Sequence, residues 1–379
     1  MLHKEIIVLG DIEMGGGTLT DDFISDKALS ELILELKERP HPVDLILNGD
    51  TFDFLKCPYP RNGKYFYTRH ITKEVSLAKL ELVYNAHRQV FESLKSFVHS
   101  GRHGLYFTFG NHDMDLVYPE VQERIKEILS AQHNVHFVVK YHNHNVYVEH
   151  GMQYDALNKF SFKRKYLSHH NKNILNLSWI SFGIITQFLK LKEEHPFLER
   201  IHTHKVLFTH HPYILKKITF RAAKYLLKTI IYYPLRYFTD QTYNFPYGIL
   251  REFYRRVKLS HWDVDKIIRV FKRNKRKTLH HNKIYVLGHV HETYIENKKN
   301  IVLIHPNTWR DEYDMEPSGK LVPRGKHYVQ ILVSDLGHDF QLVDYPIKRS
   351  ILDFDKVVKN ERKYLQQVAE EEEYLIKVA

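Results

Sequence analysis

Five apolar runs in this chain each end in a residue able to bind a metal or move a proton. That recurrence constrains the fold more than any other feature. The runs are Ile6–Leu9, Asp44–Leu47, Leu105–Phe109, Asn145–Glu149 and Lys283–Leu287. They lead into Gly10-Asp11, Asn48-Gly49-Asp50, Gly110-Asn111-His112-Asp113, His150-Gly151 and Gly288-His289-Val290-His291. Short apolar runs bounded by turn residues read as buried strands. Helical patterns lie between them. Asp21–Arg39 carries Leu29, Leu32, Ile33 and Leu36 on one face and is closed by Pro40 and Pro42; Leu77–His99 carries Leu80, Val83, Val90 and Leu94; Tyr118–Ser130 follows, then a strand at Val135–Val139. Strands alternating with helices predict an α/β fold with a largely parallel sheet. In such sheets ligands collect beyond the carboxyl ends of the strands, where these polar residues fall.

The alternation stops at about residue 151 and resumes at about 282. Between Lys159 and His281 the chain has 26 Lys and Arg against 7 Asp and Glu, a net charge of +19 within a chain of net +11. The rest is therefore acidic, at −8. The predicted organisation is a core from 1–155 and 282–350, an inserted, mainly helical basic cap at 156–281, and a charged C-terminal helix at 351–379. Strands are expected at Ile301–Ile304, Tyr328–Val333 and Phe340–Asp344 within the resumed core. The 379 residues suit one large domain or two ordinary ones. A single cysteine, Cys57, excludes a disulfide framework and suits a reducing compartment. The first residues lack the pattern of a secretory signal, so a cytoplasmic location is expected.

Asp, Asn and His without cysteine form a ligand set for Mn²⁺, Fe²⁺ or Zn²⁺. A carboxylate placed centrally can bridge two such ions, and the pair can clamp a phosphate and activate water. With GD at 10–11, GDTFD at 49–53, GNHD at 110–113, HG at 150–151 and GHVH at 288–291, the chain resembles the calcineurin-like metallophosphoesterase superfamily. The resemblance covers residues 1 to about 155 and 280 to 345. It implies two sheets packed as a sandwich and flanked by helices. It implies two divalent ions, Mn²⁺ foremost, with Fe²⁺ or Zn²⁺ as alternatives. Asp11 and His291 would bind the first ion, Asp50 would bridge both, and Asn111, His150 and His289 would bind the second. His112 would assist the leaving oxygen, Asp113 would hold its imidazole, and Asp53 would orient the loop after Asp50. The reaction implied is attack on phosphorus by a metal-bound hydroxide.

Glu13 departs from the pattern, since most of the family has histidine there. It either supplies an oxygen ligand, favouring a harder ion such as Mn²⁺, or points away and leaves the first site weak. Gly15–Gly17 can bend sharply and approach a phosphate, or form a loose loop. The GDTFDF form and the insertion after His150 look most like the UDP-2,3-diacylglucosamine hydrolase branch, whose enzymes cut a pyrophosphate in a lipid-linked nucleotide sugar at the membrane surface. That branch usually has arginine where His112 stands, so His112 fits the wider phosphoesterase pattern instead. In HPNTWRDEYD, residues 305–314, Thr308, Trp309 and Arg310 either line a substrate entrance or close the sheet. His210 and His211 follow a strand-like run, Lys205–Phe208, and are second choice to His150 as ligands.

Within the insertion, the uncharged stretch 173–189 reads as a buried or interfacial helix rather than a span, because polar residues interrupt it. Ile218–Phe238 interleaves Arg221, Lys224, Lys228 and Arg236 with aliphatic and aromatic residues. That mixture suits an anionic membrane surface, a groove for single-stranded nucleic acid, or a solvated cap. The expected function is a dinuclear metal-dependent phosphoesterase acting on a phosphodiester, pyrophosphate or phosphomonoester, on a lipid-linked or nucleotide substrate, peripheral at the inner face of the membrane. The alternatives are a nuclease or protein phosphatase of the same fold, and a non-catalytic module that docks on membrane or nucleic acid.

Overall fold

The computed structural model describes residues 2–202, 204–244, 248, 251–252, 264–275, 279 and 281–376. It is an α/β sandwich. One sheet has six strands in the order Gly337–Tyr345, Lys326–Ser334, Leu2–Leu9, Val43–Asn48, Gly104–Thr108, Val135–Val138. The other has five, in the order Thr293–Lys298, Ile301–Pro306, Ile284–Leu287, Val146–Glu149, Tyr141–Asn143. The four strands that carry the first sheet's helix crossovers are parallel, and the last two add antiparallel at its edge. The sheets are therefore mixed rather than largely parallel.

Strand alternation explains the layers. Ile6, Val8 and Ile46 of the first sheet meet Val146, Val148, Val286 and Ile304 of the second in one buried cluster. The intervening Ile7, Leu9, Leu45 and Leu47 face the other way, onto Leu29, Leu36, Phe91 and Leu94 of helices Asp26–Lys37 and Arg88–Val98. On the far side Tyr285, Leu287 and Leu303 pack against Ile267, Ile268 and Phe271 of helix Val264–Asn274. Strands covered on both faces read as continuous apolar runs, which is why they stand out in the sequence.

Several elements differ from expectation. The predicted helix Asp21–Arg39 begins only at Asp26. Asp21 instead organises the glycine-rich loop: its carboxylate accepts the N–H groups of Gly15 at 3.0 Å and Gly17 at 2.8 Å. A side chain at Gly15 would place Cβ 2.8 Å from the Asp21 carboxyl carbon. The loop is thus packed against its own chain rather than left to cradle a phosphate. The run Lys205–Phe208 lies within a helix, His204–His210, not a strand. The stretch 173–189 is the end of a hairpin strand, Lys172–Leu175, followed by the short helical segments Trp179–Gly183 and Ile184–Phe188. The C-terminal segment forms two helices, Phe354–Lys359 and Glu361–Glu370. Part of the expected cap, 156–281, lies outside the described residues.

The expected helix Leu77–His99 is two helices, Lys73–Ala86 and Arg88–Val98, broken at His87. The cause is electrostatic. His87 is fully buried. Its Nδ1 lies 2.7 Å from Asp26 Oδ1 and its Nε2 lies 3.1 Å from Asp21 Oδ2. Tyr374 stacks on the ring at 5.1 Å between centroids and donates to Asp21 at 2.8 Å, tying the C-terminal segment to the glycine loop. Burial opposes charge on His87, but the Asp26 and Asp21 carboxylates outweigh it and raise its pKa from 6.5 to about 10. A histidine raised in the folded state contributes stability fully below its unfolded value and loses it as pH rises through its folded value. We predict that the midpoint of urea unfolding falls as pH is raised from 6.5 to about 10. His87→Gln should cost about 3–5 kcal/mol at pH 6, because it leaves buried carboxylates uncompensated, and should reduce that pH dependence. A variant as stable as the wild type at pH 6 would contradict this.

Candidate metal centre

The five strand ends converge. Asp11 follows Leu2–Leu9, Asp50 follows Val43–Asn48, Asn111 and His112 follow Gly104–Thr108, His150 follows Val146–Glu149, and His289 follows Ile284–Leu287. Close approach demands glycine at one corner: a Cβ on Gly110 would lie 2.0 Å from Asp50 Oδ1. Asp50 itself sits at φ 46° and Glu13 at φ 58°, left-handed conformations uncommon for these residues. Hydrogen bonds join them to each other and to the next loop: the Glu13 N–H donates to the Asp50 backbone carbonyl at 2.7 Å, and the His112 N–H donates to the Asp50 carboxylate Oδ1 at 2.7 Å.

Two groups of donors flank Asp50. On one side His150 Nε2 lies 3.2 Å from Asp50 Oδ2 and 3.3 Å from Asn111 Oδ1. Ligand atoms of Asp50, His150 and His289 all fall within 4.8 Å of one another. On the other side His291 Nε2 lies 3.1 Å from Asp11 Oδ2 and 3.7 Å from Glu13 Oε1. Asp11 Oδ2 is buried and has no hydrogen-bond partner. An orphaned carboxylate oxygen beside an imidazole nitrogen fits a cation. The oxygen and nitrogen donors, with no thiolate near them, fit Mn²⁺, Fe²⁺ or Zn²⁺.

Each of the three histidines is oriented through its other nitrogen. His150 Nδ1 is 3.0 Å from Asn48 O, His289 Nε2 is 3.0 Å from Asp155 Oδ2, and His291 Nδ1 is 2.7 Å from Glu312 Oε1. This is how metal-binding imidazoles are held, because the outer bond fixes the tautomer and aims the inner lone pair. Asp155 and Glu312 were not anticipated. Their only sequence signal is nearness to His150 and to the strand after His291, since their role depends on tertiary approach.

His112 lies at the edge of the centre, and its ligand-type atom is within 4.8 Å of those of Glu13 and Asp50. Its Nδ1 is 2.8 Å from Asp53 Oδ1. The expected partner, Asp113, does something else: its carboxylate accepts the N–H groups of Gly110 at 2.6 Å and Thr51 at 2.9 Å, tying two loops together. The reason is geometric, because a carboxylate one residue on from His112 turns back into the loop while Asp53 faces the ring. Burial opposes charge on His112, but Glu13, Asp53 and Asp50 raise its pKa to about 9. Burial and the nearby Asp50 push Asp113 up to about 7. Burial would raise the Asp11 carboxyl, yet His150 and His291 hold it well below the ordinary carboxylate range. Burial likewise opposes charge on His150 and His291; Asp50 with Asp11, and Glu312 with Asp11, raise them both to about 10.

The stretch 305–314 serves Asp11 rather than an entrance. Thr308 Oγ1 donates to Asp11 O at 2.7 Å and the Trp309 N–H does so at 2.8 Å. Trp309 is wholly buried, donates from Nε1 to His327 O and packs against Tyr345. It closes the sheet, because its indole fills the core. Arg310 is buried beside Glu13, Asp22, Glu199 and Glu312 at 3.6–3.7 Å. Its guanidinium is thus engaged by these carboxylates. His210 ends helix His204–His210 and His211 links it to helix Pro212–Arg236; both rings lie against Phe354 and are not among the converging donors.

No family model matches this chain, and neither does any curated protein. Among solved structures it is similar to a provisionally assigned 5'-nucleotidase from Staphylococcus aureus in complex with alpha-ketoglutarate, at 12% identity and a TM-score of 0.34, covering 97% of this chain. The chain spans 58% of the length of that structure. A likeness this distant carries nothing about substrate.

Proposed function

We propose that the protein is a metal-dependent phosphoesterase with two divalent ions bridged by Asp50. The observation that supports this most is the pair of donor groups on either side of that carboxylate. Asp11, His291 and Glu13 would hold the first ion; Asn111, His150 and His289 would hold the second. Two ions so held would supply Lewis acidity toward a phosphate and a strong nucleophile at neutral pH. The chain's own residues do the rest. Asp155 and Glu312 keep His289 and His291 aimed inward. Asp53 holds His112 through Nδ1, so Nε2 is the nitrogen able to pass a proton to the departing oxygen. Asp113 acts on the loops that carry Asp50 and Asn111 rather than on the proton. The resemblance in motif order supports hydrolysis of a phosphodiester, pyrophosphate or phosphomonoester.

A second element of the reading concerns location. Helix Pro212–Arg236 buries Ile214, Tyr225, Thr229 and Tyr233. Its other side exposes Phe220, Leu227, Ile230, Ile231 and Leu235, with Lys216, Lys224, Lys228 and Arg236 also exposed along it. Among the described residues no helix is long and apolar enough to cross a membrane. Exposed apolar side chains among lysines suit lying on an anionic bilayer, and support a substrate presented at a membrane more than one presented by nucleic acid.

Hydrolysis of a chromogenic bis-phosphodiester with Mn²⁺ tests the chemistry. His112→Ala should lower kcat by about 10²–10⁴-fold while bound metal stays unchanged. Full activity in that variant, or no turnover by the wild type on diester and monoester alike, would contradict the reading. For the surface, sedimentation with vesicles containing anionic lipid should capture the wild type and release it at high salt, and the double change Leu227→Glu, Ile231→Glu should abolish capture. Equal retention of both proteins, or preferential binding to oligonucleotide, would exclude the membrane reading.

A further inference from the structure

Beneath the candidate metal centre lies a buried cation that the chemistry above does not use. The Lys56 side chain is 2% exposed, and its Nζ lies 2.8 Å from Glu13 Oε2, 2.5 Å from Asp22 Oδ2, 3.1 Å from Asp53 Oδ2 and 3.3 Å from Glu199 Oε1. Oxygens of Glu13, Asp22 and Asp53 come within 4.8 Å of one another, a spacing that would suit a metal ion. The ammonium fills that place instead. Lys192 adds contacts to Asp22 at 2.5 Å and Glu199 at 2.8 Å, and Arg310 approaches Glu13, Asp22 and Glu199 at 3.6 Å. Three cations thus serve four carboxylates.

Glu13 is divided by this arrangement. Oε2 is taken by Lys56. Oε1 lies on the side of His291 Nε2, at 3.7 Å. A fixed ammonium on one oxygen limits rotation of the carboxylate and so leaves the other oxygen aimed, as groups behind a metal ligand do.

We propose that Lys56 is a positioning residue for the first metal site: it holds Glu13 through Oε2 so that Oε1 faces Asp11 and His291, and it ties Glu13 to Glu199 of the inserted segment. The inference rests on the metal-centre reading above. It explains how glutamate stands where histidine is usual. The added negative charge has its own counter-charge, three residues after Asp53, in the same loop that follows Asp50.

Calorimetric titration of Mn²⁺ into metal-stripped protein tests this without reference to activity. Wild type should bind two equivalents. Lys56→Met should weaken one equivalent by about 10–100-fold, the range found when a group behind a metal ligand is removed, and leave the other unchanged. Glu13→Gln should weaken the same equivalent, and the double variant should be no worse than Glu13→Gln alone, because the two act through one oxygen. Lys56→Arg should recover most of the affinity. Two wild-type affinities in Lys56→Met, or losses that add in the double variant, would overturn the proposal while leaving the metal centre standing. No metal in the wild type would overturn both. Should Lys56→Met fail to fold by circular dichroism, Glu199→Gln serves in its place. Glu199 is 38% exposed, so its loss should weaken the first equivalent about two- to fivefold, and an unchanged first site would then overturn the tie to the insertion.

Discussion

Five carboxylates, those of Asp11, Glu13, Asp22, Asp50 and Asp53, are buried together at the ends of two neighbouring strands and the loops after them, none more than 2% exposed. Taking so many negative groups out of water costs several kcal/mol each unless they are paired. The rest of the structure is arranged around that cost. On one side Lys56, Lys192 and Arg310 form a closed floor of ion pairs. On the other side His112, His150 and His291 form a rim whose imidazoles face the carboxylates. Buried oxygens without a hydrogen bond occur on both sides, Asp53 Oδ2 in the floor and Asp11 Oδ2 in the rim. Glu13 touches both sides, through Lys56 and through His291.

The convergence was legible in the sequence because each of these polar residues lies within a few residues of the end of an apolar strand. A strand buried on both faces announces itself as an apolar run, and its carboxyl end fixes where the next polar residue goes. The gathering of Asp11, Asp50, Asn111, His150, His289 and His291 follows from that rule, while the ligand role of each was implied only by the resemblance in motif order. The floor was not legible. Lys56 is one lysine among many, and only the approach of residues 22 and 199 gives it four partners. The same holds for Asp155 and Glu312 behind the histidines, and for the choice of Asp53 over Asp113 beside His112. Local rules failed in the same way at His87, where helical periodicity ran on but two distant aspartates pinned the ring and broke the helix. At 205–208 an apolar run too short to distinguish strand from helix was resolved by its neighbours.

The inserted segment connects both ends of the account. Its helix Pro212–Arg236 presents apolar and basic side chains outward. Its residues Lys192 and Glu199 reach inward to the carboxylates under the candidate metal centre. Glu13 joins the inward part to the rim. Glu13 has Arg310 beside it as well as Lys56, and Lys56 has Asp22, Asp53 and Glu199 as well as Glu13, so the pairing is shared across the cluster.

Anomalous diffraction from crystals grown with Mn²⁺, recorded near the manganese edge, would locate the ions themselves. Two peaks are expected on either side of Asp50, one bounded by Asp11, Glu13 and His291 and the other by Asn111, His150 and His289. A single peak, or a peak among Glu13, Asp22 and Asp53 with the Lys56 ammonium displaced, would contradict the two-ion reading.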